Sequence, residues 1–166
     1  MSRNLYLPWA SLFILAVGCA FYAAPPAVQD LLIYDRMAVE QGEWTRLLTC
    51  HFLHIETSHF IYNVLPLLIF ACVYEYTHGP RGSLDTLLLV VPTAAAISAW
   101  VWWQTPGVMY YLGFSGVLYA LMFVAFYEVY LQTRYKWLFV IPVIYLVRTI
   151  WQLDTAFNPV DDGTYF

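Results

Sequence analysis

Long uncharged apolar stretches alternate with short polar segments along this chain. Leu5–Ala24 carries no charge over 20 residues, and neither do the 42 residues from Thr86 to Tyr127. A helix of about 20 apolar residues is long enough to cross a bilayer. "THGPRGS" (77–83) and "QTPG" (104–107) interrupt the pattern with turn-forming residues. The pattern predicts five membrane spans, at about residues 5–24, 58–76, 86–103, 110–130 and 137–153.

Composition supports the same class of protein. The chain has 166 residues, of which 61% are hydrophobic and 11% are charged, whereas soluble domains carry about 25% charged residues. So much apolar surface does not fit inside one small core, so we expect an all-α polytopic membrane protein in a single domain over 1–166. A cleaved signal peptide is the competing interpretation of the first stretch, because "GCAFYAA" is rich in small residues. The three cysteines suggest neither a disulfide framework nor a cysteine metal site.

Charge gives an orientation and excludes one partner. The net charge is −4 and no basic patch is present, so nucleic acid is not expected as a partner. Lys and Arg concentrate on the cytoplasmic side of membrane proteins, and the short turns "HGPRG" and "RYK" are basic whereas "QTPGVM" is uncharged. We therefore expect a cytoplasmic N-terminus. The predicted cytoplasmic cations are Arg3, Arg81, Arg134 and Lys136, against Arg36, Arg46 and Arg148 on the outer side.

"HFLHIETSHFIYN" places polar residues at or near membrane depth, where they are functional candidates. His59 and Asn63 are four apart and share a helix face. One interpretation is simple polarity, with His51 and His54 in a wet loop and Asn63 bonding a neighbouring helix. The second is a metal site from Cys50, His54, His59 and Glu56, although the spacing matches no strong zinc pattern. The third is a cluster of hydrogen-bond donors facing a reacting carbonyl.

"GFSG" (113–116) places Ser115 at the start of a predicted helix, directly after a loop. Small residues also let helices approach closely, so Gly113 and Gly116 alone would explain the motif as packing. The hydrolase motif GxSxG does not fit, because Val117 follows Gly116. A helix N-terminus, however, offers unpaired backbone N–H groups that suit an oxyanion. Tyr119 lies four residues on, on the same face.

Taken together, these pieces resemble the rhomboid intramembrane serine proteases. "GEWTRLLTCHFLHIETSHFIYN" resembles the family's Trp-Arg pair followed by His-x4-His-x3-Asn, and "GFSGVLYALM" resembles the block around its catalytic serine. Glu75 and Gly79 also fall where the family places a Glu and a Gly. The similarity runs from about Gly42 to Met122. The implied fold is a rhomboid-like helical bundle, with five of an expected six transmembrane helices in this chain.

The resemblance implies roles for individual residues. Ser115 would be the nucleophile, and His59 and Asn63 would donate to the oxyanion with the backbone N–H of Ser115. The supporting residues would be His54, Tyr119, Gly113 and Gly116, and the structural ones Glu75, Trp44 and Arg46. We expect no cofactor and no metal. Its substrate would be a single-span membrane protein, cut near the outer face of the bilayer.

Three departures from the family pattern matter. Thr45 separates Trp44 from Arg46 where an aromatic is common, and Leu112 precedes Gly113 where a small residue is frequent. The family's general base is a His on a sixth helix, and this sequence ends before one. We expect the base to lie beyond Phe166 in a longer chain. The alternative is a catalytically inactive rhomboid-like protein that binds transmembrane helices; a transporter is disfavoured because paired, broken helices with intramembrane charges are not evident.

The compact size and "GEWTRLLTCHFLH" also resemble the rhombosortases, a rhomboid subfamily that acts on surface proteins with a C-terminal Gly-Gly motif, helix and basic tail. A generic bacterial rhomboid protease is the other expectation. Either case implies the bacterial inner membrane, with the active site towards the outer face. The oligomeric state is left open by the sequence.

Overall fold

The first part of the fold is a helix followed by a long folded loop. The computed structural model describes residues 6–133 and positions 140, 143 and 144. Helix α1 (Trp9–Tyr22) begins after Pro8. Proline has no backbone N–H group, so Pro8 cannot donate a hydrogen bond to a preceding helical turn. The loop then contains three short helices, one short strand and a 3-10 turn: α2 (Pro26–Gln29), β1 (Tyr34–Asp35), α3 (Arg36–Glu40), α4 (Arg46–Thr49) and Cys50–Phe52.

Three long helices follow. The first is continuous from Thr57 to His78 and consists of α5 (Thr57–Phe70), a π-helical segment (Ala71–Glu75) and α6 (Tyr76–His78). It is followed by α7 (Pro80–Gln104), β2 (Tyr110–Tyr111) and α8 (Ser115–Thr133). The three long helices are apolar enough to cross a membrane, and α1 is a shorter apolar helix. The chain divides into two units after Ala125, and the site described below lies in the first.

Three of the five predicted spans coincide at their centres with the long apolar helices and differ from them at their ends, and the first predicted span coincides with the shorter helix α1. The third span begins at Pro80 rather than near residue 86, because Gly79 makes the turn alone with φ +63 and Pro80 starts the next helix. The fourth begins at Ser115 rather than Tyr110, because Tyr110 and Tyr111 pair with β1. The predicted span at 137–153 lies outside the described residues except for positions 140, 143 and 144, which are helical.

The core of the first unit lies where α1, α5, α7 and α8 meet. Its buried members are Ile14, Leu67, Phe70, Val90, Ala94, Phe114, Val117, Leu118, Leu121 and Ala125. The opposite faces of the same helices expose large apolar side chains such as Ile61, Leu88 and Phe123. In a bilayer those faces meet lipid rather than water, so their exposure costs nothing.

A two-stranded antiparallel pair connects the first loop to the segment before α8. Tyr34 lies opposite Tyr111, and Asp35 lies opposite Tyr110. Arg36, next to β1, donates from Nη2 to the carbonyls of Val101, Trp102 and Thr105, and from Nε to that of Val108. These carbonyls lie at the C-terminal end of α7 and just beyond it, where helical partners run out. One guanidinium thus caps α7 and holds the first loop against the loop that leads to α8.

Candidate active site

Ser115 is the first residue of α8, and the chain enters the helix through a glycine. Gly113 has φ +116, a conformation that side chains with a Cβ rarely adopt. Its N–H donates to the carbonyl of Cys50 at 3.0 Å, and Leu118 N–H donates to Phe114 at 3.0 Å as the first helical bond. The backbone N–H groups of the first turn therefore lack helical partners, as at any helix N-terminus. Ser115 itself is half-buried.

His59 and Asn63 lie together on α5, as their spacing predicts. Asn63 is buried and donates from Nδ2 to the backbone carbonyl of His59 at 2.9 Å. The His59 imidazole lies against Gly113, since a Cβ at Gly113 would be 2.9 Å from Cε1 and 3.3 Å from Nε2 of His59. The fold thus places the His59 imidazole against Gly113, which precedes Ser115 by two residues in the sequence. A side chain larger than hydrogen at position 113 would displace it.

His54 packs beside His59 and is neutral near pH 7. Its ring centroid lies 5.1 Å from that of His59 and 5.3 Å from that of Phe60. Nδ1 bonds the Phe52 carbonyl at 3.2 Å, so Nδ1 carries the proton and Nε2 is the bare nitrogen. Burial, and then the neighbouring His59, lower the pKa of His54 to about 4, while the bond to Phe52 opposes the shift. In the described part of the chain Nε2 has no hydrogen-bond partner.

A small cavity connects these residues to the helix core. Its volume is about 20 Å³, and His54, Asn63 and Phe114 line it together with apolar side chains of α1 and α5. That volume is roughly the space one water molecule needs. Although Asn63 and His54 border it, the cavity wall is almost entirely apolar, so the cavity is a packing gap beside the predicted donor cluster.

Arg46 and Trp44 hold the first loop in different ways. The Arg46 guanidinium is buried, pairs with Glu43 at 2.6 Å, and donates to the carbonyls of Asp30 and Ile33 at 2.6 and 2.9 Å. Trp44 is 60% exposed, and its ring centroid lies 6.1 Å from that of Trp102. Arg46 therefore joins two parts of the first loop through buried hydrogen bonds, while the Trp44 ring lies on the outer surface of the loop.

Glu75 lies far from Ser115 in the fold, at the opposite end of the long helices. Its carboxylate is fully buried and accepts from Ala10 N–H at 2.8 Å, Ser11 N–H at 3.0 Å and the Ser11 hydroxyl at 2.5 Å. It also accepts from the hydroxyl of Ser83. One side chain thus caps the first turn of α1 and joins it to α7.

Gly116 and Tyr119 follow Ser115 on α8. A Cβ at Gly116 would lie 2.8 Å from Cδ1 of Ile97, so α7 and α8 approach closely at this point. Tyr119 is half-buried one turn after Ser115, where its spacing puts it on the same face.

Two of the interpretations of the histidine-rich stretch fail. His51 and His54 are not in a wet loop, since their exposed fractions are 0% and 3%. The proposed metal ligands also do not assemble, because the described residues contain no group of three or more His, Cys, Asp or Glu side chains able to hold an ion. Burial instead raises the pKa of the Cys50 thiol to about 12, which keeps it protonated.

Several contacts that shape the site were not predicted from the sequence. His51 bonds Ser98 across 47 positions, and Arg36 holds the end of α7 across 65 or more. The strand pair between 34–35 and 110–111 was also not predicted. Ser98 in an apolar span was the one available signal, since a hydroxyl at that depth needs a partner.

A comparison with protein families identifies the family of this chain. Residues 41–161 match the family model described as Rhomboid domain, which covers more than two thirds of the chain. No curated protein matches. The matched region contains α5, α7 and α8, together with the glycine loop before Ser115.

Proposed function

Because the chain belongs to the rhomboid family, a family of intramembrane proteases, we propose that it is a serine endopeptidase with Ser115 as its nucleophile. The protein is an integral membrane protein, with three helices long and apolar enough to cross a bilayer. The proposed reaction is hydrolysis of a peptide bond in or near a transmembrane segment.

The observation that carries the proposal is the contact between the Gly113 loop and His59. The left-handed glycine lets the chain that leads into Ser115 approach an imidazole on another helix. Asn63 lies one turn further along the same face, with its amide held by the His59 carbonyl. A serine at a helix N-terminus, two residues after a glycine that contacts an imidazole, is a suitable starting arrangement for acyl transfer.

The proposed chemistry follows from these positions. The Ser115 hydroxyl oxygen attacks the scissile carbonyl, and the tetrahedral oxyanion accepts hydrogen bonds from His59, Asn63 and the backbone N–H of Ser115. Each such donor is typically worth about 3 kcal/mol of barrier. The oxyanion then collapses, the C–N bond breaks, and the amine leaves with the proton that the base took from Ser115. Water hydrolyses the resulting acyl-enzyme to release the acid and the free Ser115 hydroxyl, and the same donors stabilise the second oxyanion.

Ser115 also needs a base to accept its proton, because a free hydroxyl is a weak nucleophile. His51 is engaged by Ser98, and His78 bonds the Tyr74 carbonyl near the end that carries Glu75. His59 is assigned to the oxyanion, with His54 bracing it. The resemblance gives the base role to a further histidine on another helix, and we keep that assignment as part of the proposal.

The remaining assigned residues have supporting roles in this scheme. Tyr119 would pack against the imidazole of the base, and Gly116 would keep α8 close to α7. Glu75 would tie the helix ends together on the cytoplasmic side, while Arg46 and Trp44 would set the first loop at the outer membrane interface. The active site would then face the outer side of a bacterial inner membrane. The substrate would be a single-span protein, and the rhombosortase subfamily is the narrower proposal for its class.

Labelling by a fluorophosphonate tests the nucleophile directly. The full-length protein in its native membrane should be labelled and should cut a model single-span substrate, and Ser115→Ala should abolish both. Ser58→Ala is the matched control, since Ser58 is exposed near the start of α5, and it should leave labelling unchanged. A folded protein that is neither labelled nor able to cut any substrate would refute the protease proposal and favour a protein that binds helices without cutting them.

A further inference from the structure

Three consecutive residues of the first loop contact the chain segment that leads into Ser115. The Cys50 carbonyl accepts the Gly113 N–H at 3.0 Å. The His51 ring packs edge-on to Tyr111, with centroids 5.6 Å apart, and the Phe52 ring stacks on Phe114 at the same distance. The 3-10 turn Cys50–Phe52 therefore contacts Tyr111, Gly113 and Phe114, which are three of the four residues that precede Ser115.

His51 is the member of this turn that a long helix holds in place. It is fully buried, and its Nε2 lies 2.9 Å from the hydroxyl of Ser98 on α7. The Ser98 hydroxyl donates its single proton to the carbonyl of Leu47. Since that proton is used, His51 must be the donor to Ser98, and the order of donation runs from His51 to Ser98 to Leu47.

The surroundings of His51 favour this neutral form. Burial lowers the pKa of His51, and the nearby backbone of Ala94 and Gly113 opposes the shift, although neither makes a hydrogen bond to the ring. The neighbouring groups are neutral as well, because burial raises the pKa of both Cys50 and Tyr111. A neutral ring that donates from Nε2 has Nδ1 as its bare nitrogen, and Nδ1 has no hydrogen-bond partner among the described residues. The hydrogen bond that holds the ring is therefore the one from Nε2 to Ser98.

We propose that His51 is a positioning residue for the active site: by bonding Ser98 on α7, it holds the 3-10 turn against residues 111–114 and so sets the position of Ser115. His51 does not touch the reacting atoms in this scheme. The link to catalysis rests on the proposed function of Ser115, whereas the link to residues 111–114 stands on the contacts themselves.

Hydrogen exchange of the full-length protein in lipid nanodiscs tests the positioning role without using activity. His51→Phe keeps a ring against Tyr111 and removes the donor, whereas His51→Gln keeps an amide donor near the position of Nε2. We expect His51→Phe to accelerate exchange of the Gly113 amide by about tenfold, the effect of losing one net hydrogen bond. His51→Gln should recover most of the protection, and Ser98→Ala should accelerate exchange at Gly113 as His51→Phe does.

His78→Phe is the matched control, since it makes the same replacement where the ring packs on Tyr74 and bonds its carbonyl. It should leave exchange at 110–115 at the wild-type rate. The proposal is overturned if His51→Phe leaves Gly113 exchange unchanged, or if it accelerates exchange equally in α1 and around Gly79, which would indicate general destabilisation.

Fluorophosphonate labelling adds the functional half of the test. His51→Phe should slow labelling of Ser115 about tenfold, and His51→Gln should restore it to within about threefold of wild type. If the Gly113 amide of His51→Phe exchanges faster but Ser115 is labelled at the wild-type rate, the position of the loop does not affect the reactivity of Ser115. That result would overturn the link between His51 and catalysis. If the wild-type protein itself is not labelled, the protease proposal fails, and hydrogen exchange still decides whether His51 positions the loop.

Discussion

At the scale of single residues, the site depends on small groups in unusual surroundings. Gly113 takes a left-handed conformation and leaves room for the His59 ring. A methyl group at position 113 would occupy part of the space that this ring fills. His54 is buried with one nitrogen bonded and the other without a partner among the described residues. Each position therefore has a feature that is unfavourable by itself, a positive φ at Gly113 and an unpaired buried nitrogen at His54, and each residue contacts His59.

Gly113→Ala should damage the site more than its size suggests. The new Cβ would meet His59 Cε1 at 2.9 Å in a backbone region that costs about 1–3 kcal/mol for residues other than glycine. We expect thermal unfolding in detergent to show a loss of that order, together with at least a tenfold slower fluorophosphonate labelling. Gly107→Ala is the control, because no atom lies within 4 Å of its added Cβ. Equal effects at both positions would contradict this account.

The stability of the protein should fall as pH decreases from about 6.5 towards 4. The folded pKa of His54 is about 4, below its ordinary value of 6.5, so the unfolded chain takes up a proton in this range before the folded one does. The contribution of His54 is complete above pH 6.5 and is lost as pH falls, by about 2 kcal/mol after allowance for solvent screening.

His54→Asn isolates this contribution, because its amide nitrogen can still donate to the Phe52 carbonyl but does not titrate. Thermal denaturation at a series of pH values should show a shallower decline for the variant than for wild type. Parallel declines would show that His54 is not the titrating group.

At the scale of secondary-structure elements, buried polar side chains join the helices at their ends. Glu75 connects the C-terminal part of the first long helix to α1 and α7. Arg36 connects the first loop to the C-terminus of α7, and Arg46 closes that loop on itself. Polar groups without water must find partners in the protein, so each of these side chains fixes the relative position of two elements.

Glu75→Gln should destabilise the protein by about 2–3 kcal/mol. The carboxylate accepts four hydrogen bonds, and an amide in its place would point an N–H group at donors of Ser11, Ala10 or Ser83. Denaturation followed by circular dichroism in detergent measures the loss. Glu56→Gln is the control, since Glu56 is exposed before α5 and should change stability by less than about 0.5 kcal/mol. A similar stability for both variants would refute the connecting role of Glu75.

At the scale of the whole molecule, the first unit has two distinct ends. One end contains Tyr6, the first turn of α1, Glu75 and Ser83, which are joined by hydrogen bonds. The other contains the first loop, the strand pair and the glycine loop before Ser115. Since α7 is 25 residues long, about 37 Å separates its ends, enough to put them at the two faces of a bilayer.

Sidedness can be measured with cysteines introduced one at a time at exposed positions. In a background with Cys19 and Cys72 replaced by serine and the buried Cys50 retained, a membrane-impermeant maleimide should label Gly107→Cys in intact cells. Arg81→Cys, at an exposed position in the first turn of α7, should be labelled only after the cells are opened. The reverse result would invert the proposed orientation, and labelling of both sites from one side would contradict the assignment of α7 as a span.

The sequence alone determined the three long apolar helices and the family, because hydropathy over about 20 residues and motifs such as "GFSG" are local properties. It also placed His59 and Asn63 on one helix face, since four residues make about one turn. Only the tertiary structure decided that Gly113 lies against His59, that Arg36 caps α7, and that His51 is buried on Ser98. These contacts join residues 47 or more positions apart, and their partners are chosen by how helices and loops pack around a shared core. A local sequence pattern cannot predict these partners, because the residues next to His51 in the sequence are the same whether the folded loop is exposed to water or buried.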